Sequence, residues 1–266
     1  MNAPKIIFFD IDETLYRKRS NYLPESVNYA IRALKKRGII PAIATGRSLA
    51  AIPEKIHELS VAENIELFVT INGQYNQYRG QAIDAHCMER ADIERFIALF
   101  QQHSWDYTFV GSEQMASSSA NPRVCEALAT IGPFVVDADY YQRRPVYQIL
   151  LFIDAEEEVH LNASGELAKG YHAMRWHPFS VDLLQATGSK ARGIRAVCEK
   201  LGVSPSETMA FGDGENDVEM FKTVGYGVAM GDACPQLLAV ADRQTGTVEE
   251  DGIYHALVQL GVIEAM

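Results

Sequence analysis

The chain has 266 residues and a formal net charge of −11, from 35 acidic and 24 basic side chains. Nucleic-acid binding requires a surface rich in lysine and arginine, so this charge argues against a polyanionic partner. No apolar run approaches the roughly 20 residues of a membrane-spanning helix, and the N-terminus does not resemble a signal peptide, which predicts a cytoplasmic protein without a membrane partner. The four cysteines are far apart and are predicted to be reduced. No oligomeric state follows from the sequence.

The first part of the chain alternates apolar strands with amphipathic helices. KIIFFD at residues 5–10 has the continuous apolar character of a strand buried on both faces, and residues 24–38 predict a helix with one apolar stripe. IIPAIA at residues 39–44 and ELFVTI at residues 66–71 predict two further buried strands, separated by a helix-like stretch at residues 48–59. This rhythm is typical of a doubly wound, Rossmann-like α/β sheet.

The same rhythm returns only near the end of the chain, beginning with a predicted helix at residues 189–202. The region between has mixed α and β character without a simple parallel repeat, and it includes a predicted helix at residues 156–170. We therefore predict one α/β core formed by residues 1–81 and 185–266. Residues 82–184 are predicted to form an inserted α+β domain, joined by short hinges because no long linker is present.

Polar residues follow the predicted strands at the point where each strand ends. Asp10 and Asp12 follow the first strand, Thr45 and Gly46 the second, and Asp213 a late strand. Ligands bind at the carboxyl ends of strands in open α/β sheets, so these residues are expected to share one site. Residues two apart on an extended chain point the same way, so the first two acids need a compensating charge. Mg²⁺ suits such a cluster because it binds few protein carboxylates and bridges phosphate oxygens.

These residue types indicate phosphoryl transfer. A carboxylate that attacks phosphorus forms an aspartyl phosphate and so divides one difficult step into two easier ones. A second acid two residues later is placed to protonate the leaving oxygen and then to deprotonate water. The equatorial phosphoryl oxygens need hydrogen-bond donors, which a threonine hydroxyl, backbone amides and Lys190 at a helix start would supply.

Four short motifs occur in a fixed order along the chain, and together they resemble those of the haloacid dehalogenase superfamily of phosphatases. The motifs are Asp10-Ile11-Asp12-Glu13-Thr14, Thr45-Gly46-Arg47, Lys190 and Gly212-Asp213-Gly214-Glu215-Asn216-Asp217. The insertion between the second and third motifs resembles the α+β cap of the Cof-type branch, which includes many sugar-phosphate phosphatases. Asn72-Gly73 and residues 249–253 also resemble that branch, so the resemblance covers the whole chain.

The resemblance implies a division of labour among the acids. Asp10 would be the nucleophile, and Asp12 the general acid and base. Asp10 and Asp213 would hold Mg²⁺ with their carboxylates, and Asp12 would contribute its backbone carbonyl. Asp217 would either support the metal shell or orient Lys190.

The remaining motif residues are implied to bind the substrate. Thr45 and Lys190 would hold the phosphoryl group, Gly46 would add a backbone contact, and Asn216 would touch the phosphate or the rest of the substrate. The predicted function is Mg²⁺-dependent hydrolysis of small phosphate monoesters, such as sugar phosphates or related metabolites. A phosphomutase shares these motifs and stays open as an alternative. A phospho-aspartate receiver or phosphate-binding module is disfavoured, because receivers have neither the inserted domain nor the second acid.

Overall fold

The computed structural model describes residues 3–266 and divides into two compact units. The core unit comprises residues 3–46, 53–85 and 189–266, and the inserted unit comprises residues 47–52 and 86–188. None of the described helices has the length and hydrophobicity that crossing a bilayer requires. All four cysteines are free thiols.

The core unit contains one sheet of eight strands with helices between them. Its first half contains β1 (Ile6–Phe9), α1 (Glu25–Lys36), β2 (Ile40–Ala44), α2 (Glu54–Ala62), β3 (Leu67–Thr70), β4 (Tyr75–Tyr78) and β5 (Gln81–Ala85). The inserted unit then contains α3 (Arg90–His103), β6 (Asp106–Val110), β7 (Met115–Ser117), α4 (Pro122–Leu128), β8 (Val135–Val136), β9 (Gln148–Phe152), α5 (Ala155–Ala163), β10 (Tyr171–His177) and β11 (Ser180–Gln185). The core resumes with α6 (Lys190–Leu201), β12 (Thr208–Gly212), α7 (Val218–Phe221), β13 (Tyr226–Ala229), α8 (Pro235–Leu238), β14 (Arg243–Gln244) and α9 (Gly252–Gln259).

The strand order of the core sheet explains the apolar character of its strands. The order is β14-β13-β12-β1-β2-β3-β4-β5, in which the first six strands are parallel, β4 is antiparallel to β3, and β5 is antiparallel to β4. Strand β1 lies between β12 and β2, and all four of its side chains are buried. Ile6 and Phe8 pack with Ile194 and Val197 of α6 on one face of the sheet. The predicted α/β fold with a parallel sheet is confirmed.

The inserted unit is built on a six-stranded sheet with the order β10-β11-β9-β6-β7-β8, antiparallel except for the last pair. Alternate residues of its central strands, including Ile149 and Leu151, pack against Phe96 and Phe100 of α3 and against Leu161 of α5. The unit therefore has its own hydrophobic core.

The boundaries between the units differ from the predicted ones. β5 pairs with β4 in the core sheet, and the inserted unit runs to Gly188, so the chain divides after residues 85 and 188 rather than after 81 and 184. Residues 47–52 also belong to the inserted unit, where Arg47 Nη1 donates to the Ile131 carbonyl at 3.2 Å. No local pattern indicated that contact, because it joins residues 84 positions apart.

Two predicted helices are shorter in the structure. The helix predicted over residues 156–170 ends at Ala163, because Gly165 adopts a left-handed conformation and only a short 3₁₀ turn follows it. The helix-like stretch at residues 48–59 is broken at Pro53, which precedes the first residue of α2.

Candidate active site

Two acids follow neighbouring strands at one edge of the core sheet. Asp10 follows β1 and Asp213 follows β12, and the parallel register pairs Phe9 with Phe211. The Asp10 amide donates to the Phe211 carbonyl at 3.1 Å, which extends the ladder to the acid itself. Because both strands run the same way and end level with each other, the two carboxylates lie at the same edge.

Lys190 lies between two of the carboxylates. Its ammonium nitrogen is 2.5 Å from Asp10 Oδ1 and 2.7 Å from Asp217 Oδ1. The lysine and Asp217 are fully buried, and Asp10 is nearly so. Lys190 is the first residue of α6, and Ser189 caps that helix by accepting a hydrogen bond from the Arg192 amide. The cap fixes the helix start, and the helix start in turn fixes the lysine.

Both oxygens of Asp217 are occupied by donors. Oδ1 accepts from Lys190, and Oδ2 accepts from the backbone amides of Asp213 and Gly214, each at 3.1 Å. Gly212 makes this approach possible, because a Cβ atom there would come within 2.6 Å of the Asp217 carboxyl group. Of the two roles that the resemblance implies for Asp217, these contacts favour orienting Lys190.

A hydrogen bond that the sequence did not indicate fixes Asp213. The Thr14 hydroxyl donates to Asp213 Oδ1 at 3.0 Å across 199 positions of the chain. Thr14 was recognised as part of the first motif, but its partner was not. The spacing of that motif identifies a threonine near the acids without showing which acid it contacts.

Burial and mutual repulsion dominate the electrostatics of the cluster. Burial raises the pKa of Asp10 well above its ordinary value; Lys190 opposes the rise, while Asp217, Asp213 and Asp12 add to it. Burial and the charge of Asp217 likewise raise the pKa of Asp213 to about 7. Burial opposes the charge of Lys190, yet Asp10 and Asp217 raise the pKa of its ammonium group, so the lysine stays charged.

The donor set fits a hard divalent cation. Asp10, Asp213 and Asp217 each offer a carboxylate oxygen, and these three oxygens lie within 4.8 Å of one another. Three carboxylates against one ammonium group leave an excess of negative charge at a buried position, which a divalent cation would offset. The carboxylate of Asp12, which the sequence placed among the metal residues, is not part of this set in residues 3–266. Its backbone carbonyl was the ligand that the resemblance implied.

The predicted phosphate-binding residues lie in different surroundings. Thr45 is buried after β2, and its amide donates to the Val69 carbonyl at 2.8 Å. Gly46 lies against the side chain of Asn72, where a Cβ atom would be 3.3 Å from the amide group. Asn216 is exposed in a short 3₁₀ turn, with its side chain close to Gly214.

The turn after β3 connects two of the motifs. Ile71, Asn72 and Gly73 all have positive φ, and the Asn72 amide donates to the Thr45 carbonyl at 3.1 Å. A Cβ atom on Gly73 would lie 2.3 Å from the Ser189 carbonyl, so only glycine fits this contact with the start of α6. The turn thus links the second motif to the helix of Lys190. The sequence showed Asn72-Gly73 as a family feature but not this contact.

Comparison with known proteins agrees with this geometry. The family model of haloacid dehalogenase-like hydrolases matches residues 7–257. The chain belongs to the haloacid dehalogenase-like hydrolases. A Bacillus subtilis protein named "Putative phosphatase YkrA" is 35% identical over 263 residues, which cover 98% of this chain and 99% of the relative. This haloacid dehalogenase-like hydrolase is therefore a phosphatase of the Cof type, as the four motifs together with the insertion between the second and third of them predicted.

Solved structures extend the similarity to the whole fold. A hypothetical protein from Geobacillus kaustophilus HTA426 is 37% identical with a TM-score of 0.89, covering 98% of this haloacid dehalogenase-like hydrolase and 100% of that chain. The subclass IIB sugar phosphatase BT4131 is 29% identical with a TM-score of 0.83, covering 97% of this chain and 100% of its own.

Proposed function

We propose that this phosphatase hydrolyses small phosphate monoesters with Mg²⁺ as its cofactor, through a phosphorylated Asp10. The observation that supports this best is the buried group of Asp10, Asp213 and Asp217 around Lys190. A cluster of acids built only for stability would be costly, because each buried carboxylate repels the others. A divalent cation bound among these carboxylates would offset that repulsion and would allow an anionic phosphoryl group to approach.

Asp10 is the proposed nucleophile. Its carboxylate follows the central strand β1, and one of its oxygens is held by Lys190 at 2.5 Å. The lysine orients the carboxylate and provides positive charge where phosphoryl oxygens arrive. Its orientation depends in turn on Asp217, which is fixed by two backbone amides.

Asp10 and Asp213 would hold the magnesium ion. When bound, Mg²⁺ would neutralise negative charge on the acids and on the phosphoryl oxygens. The Thr14 hydroxyl keeps Asp213 in place for this role. Thr45 and the Gly46 backbone would bind the phosphoryl oxygens, and exposed Asn216 would touch the substrate.

Asp12 is the proposed general acid and base. Its side chain is half-buried, and the residue is fixed by a backbone bridge to Tyr16. It would donate a proton to the leaving oxygen as the P–O bond breaks, and it would later accept a proton from the water that hydrolyses the phosphorylated Asp10.

The proposed substrates are sugar phosphates or similar small metabolites. BT4131, which this chain resembles over nearly its whole length, is named as a sugar phosphatase. The net charge of −11 also disfavours polyanionic substrates. We assign selection of the leaving group to the inserted unit, which corresponds to the cap predicted from the sequence.

The test is a panel of phosphorylated metabolites incubated with the purified protein, with Mg²⁺ or with EDTA. Phosphate release that requires Mg²⁺ and disappears in Asp10→Asn is expected. Release unaffected by EDTA would exclude the proposed cofactor, and release by Asp10→Asn would exclude the proposed nucleophile. Conversion of the substrate to an isomer without phosphate release would identify a phosphomutase instead.

A further inference from the structure

One guanidinium group in the core unit contacts three carboxylates. Arg17 Nη1 lies 2.6 Å from Asp232 Oδ2 and also bonds to Glu13 Oε2. Its Nε and Nη2 atoms donate to the two oxygens of Glu249 at 2.8 and 2.7 Å. The Arg17 side chain is only 16% exposed, and its hydrogen bonds, of which those with Glu249 are the strongest, raise its pKa further. We call these four residues the Arg17 cluster.

The cluster begins on residues 12–22, a segment that starts with a tight turn at Asp12 and ends in a short hairpin closed by Arg17 and Tyr22; we call this segment the hairpin of Asp12. Asp12 bridges to Tyr16, and the Glu13 amide donates to the Tyr16 carbonyl at 2.7 Å. The Arg17 amide donates to the Tyr22 carbonyl at 2.8 Å and so closes the hairpin. Glu13 has a left-handed backbone with φ of +57°, a conformation that non-glycine residues adopt at a cost. The Arg17 guanidinium group binds the Glu13 side chain, and the Arg17 backbone is itself part of the hairpin. Arg17 therefore stabilises both the strained turn at Glu13 and the strand that follows it.

The other two carboxylates come from turns in the C-terminal part of the chain. Asp232 lies in the turn after β13, and the Cys234 amide of that turn donates to the Asp213 carbonyl at 2.8 Å. Glu249 lies in the turn before α9, which is 232 positions from Arg17. Arg17 therefore ties the hairpin of Asp12 to a turn that is bonded to Asp213.

The charges make this arrangement dependent on Arg17. Three carboxylates converge on one guanidinium group, which is the side chain suited to such multidentate binding. Without it, Glu13, Asp232 and Glu249 would repel one another at short range, and the hairpin would lose its attachment to the two turns. Asp10 would be less affected, since it is held by the β1–β12 ladder and by Lys190.

We propose that Arg17 is a positioning residue: it keeps the Asp12 carboxyl group within reach of the leaving oxygen. The inference rests on the proposed role of Asp12 as general acid and base. A displacement of about 1 Å can lower the rate of a positioned reaction by about 100-fold. Displacing Asp12 would slow proton transfer to the leaving group. The loss of rate should therefore be larger for a substrate whose leaving group must be protonated.

The experiment compares two substrates of the Mg²⁺-loaded protein. The leaving group of p-nitrophenyl phosphate departs without protonation, whereas the leaving alkoxide of a sugar phosphate must be protonated. In Arg17→Ala we expect kcat for the sugar phosphate to fall by roughly 10- to 100-fold, and kcat for p-nitrophenyl phosphate to fall by less than about 3-fold. Arg17→Lys should recover part of the loss, because it restores the charge but not the bidentate geometry.

Three further variants separate positioning from a general loss of structure. Arg79→Ala removes an exposed ion pair with Glu66 in the same unit and should change neither rate. Glu249→Gln keeps Arg17 in place and should show the same substrate dependence in weaker form, so it tests the inference even if Arg17→Ala does not fold. Arg17→Ala added to Asp12→Asn should cause no further loss, because both changes remove the same step.

The two proposals fail in different ways. Absence of Mg²⁺-dependent phosphate release by the unmodified protein would overturn the proposed function. The positioning role would be overturned by a different pattern. In that pattern the unmodified protein shows Mg²⁺-dependent phosphate release and Asp12→Asn loses more activity on the sugar phosphate than on p-nitrophenyl phosphate, but Arg17→Ala loses the same fraction of kcat on both substrates. Additive losses in the double variant would overturn it as well.

Discussion

The two units both contain carboxyl groups shielded from water, but they compensate them differently. In the core unit, Asp10 and Asp217 face the buried ammonium group of Lys190. In the inserted unit, burial raises the pKa of Asp182 to about 7, and the nearby side chains of Trp176 and Gln148 lower it only partly. The core acids are paired with a cationic side chain, whereas Asp182 is paired with the neutral side chains of Trp176 and Gln148, which leave its negative charge uncompensated. Only the first arrangement suits a site that must present anionic oxygens to a cation and a phosphoryl group.

The largest expected effect concerns the two acids of the first motif. Asp10→Asn removes the proposed nucleophile, so phosphate release should fall by about 10⁴-fold or more. Asp12→Asn should lower the rate by roughly 10²- to 10⁴-fold for a sugar phosphate, with a smaller loss for an activated aryl phosphate. Steady-state rates for both substrates check this. Equal losses in both variants with every substrate would show that the two roles are wrongly assigned.

The second prediction tests the paired charge directly. Lys190→Met leaves two buried carboxylates without a counter-charge and should lower the free energy of unfolding by about 3–5 kcal/mol. Lys169→Met in the inserted unit is the matched control, because Lys169 is exposed and pairs with Glu166 at 3.0 Å. That variant should lose no more than about 1 kcal/mol. Urea denaturation of both variants measures the difference, and similar losses would remove the distinction between the two kinds of ion pair.

The third prediction concerns stabilisation by the cation. Mg²⁺ at 100 times its dissociation constant should stabilise the folded protein by about 2.7 kcal/mol, because the unfolded chain has no assembled site. Asp213→Asn should abolish this gain, whereas Asp182→Asn should retain it. Calorimetry with and without Mg²⁺ measures the shift in unfolding temperature without reference to activity. A gain retained by Asp213→Asn would place the cation elsewhere.

The smallest predicted effect concerns Asp182. Its folded-state pKa lies above the ordinary value of 3.8, so between about pH 4 and 7 the folded state keeps a proton that the unfolded chain releases. The free energy of unfolding therefore falls as pH rises through this window. Asp182→Asn removes this dependence and should be more stable than the unmodified protein at pH 8 by about 1–3 kcal/mol, with no such gain at pH 4.

Both tryptophans, Trp105 and Trp176, belong to the inserted unit, so their fluorescence during urea denaturation monitors this unit. Glu113→Gln, at an exposed position of the same unit, serves as the control. If Asp182→Asn and the unmodified protein had the same free energy of unfolding relative to each other at pH 4 and at pH 8, the Asp182 carboxyl group would be ionised in the folded state.

The sequence predicted the parts of the fold and site that depend on local pattern. The strand ends could be located because apolar runs stop where Asp10, Thr45 and Asp213 begin, and parallel strands bring those ends to one edge. The start of the helix at Lys190 could also be predicted locally, from the helical pattern of residues 189–202. The extension of the helix predicted over residues 156–170 was wrong because Gly165 ends the helical region early.

Contacts between distant segments could not be predicted. Thr14 and Asp213 are 199 positions apart, and Arg17 and Glu249 are 232 positions apart. Nothing in the local sequence around either residue specifies its partner. The assignment of residues 47–52 to the inserted unit has the same cause, since it depends on side-chain contacts with a later segment.

The central position of β1 has a consequence for how the protein is made. β1 leaves the ribosome about 200 residues before β12, which is one of its two neighbours in the sheet. At 5–20 residues per second, that interval lasts about 10–40 s. During this time one edge of an entirely apolar strand has no partner, which invites pairing with other chains or binding by a chaperone. Translation of the last quarter of the chain both closes that edge and brings Asp213 to Asp10.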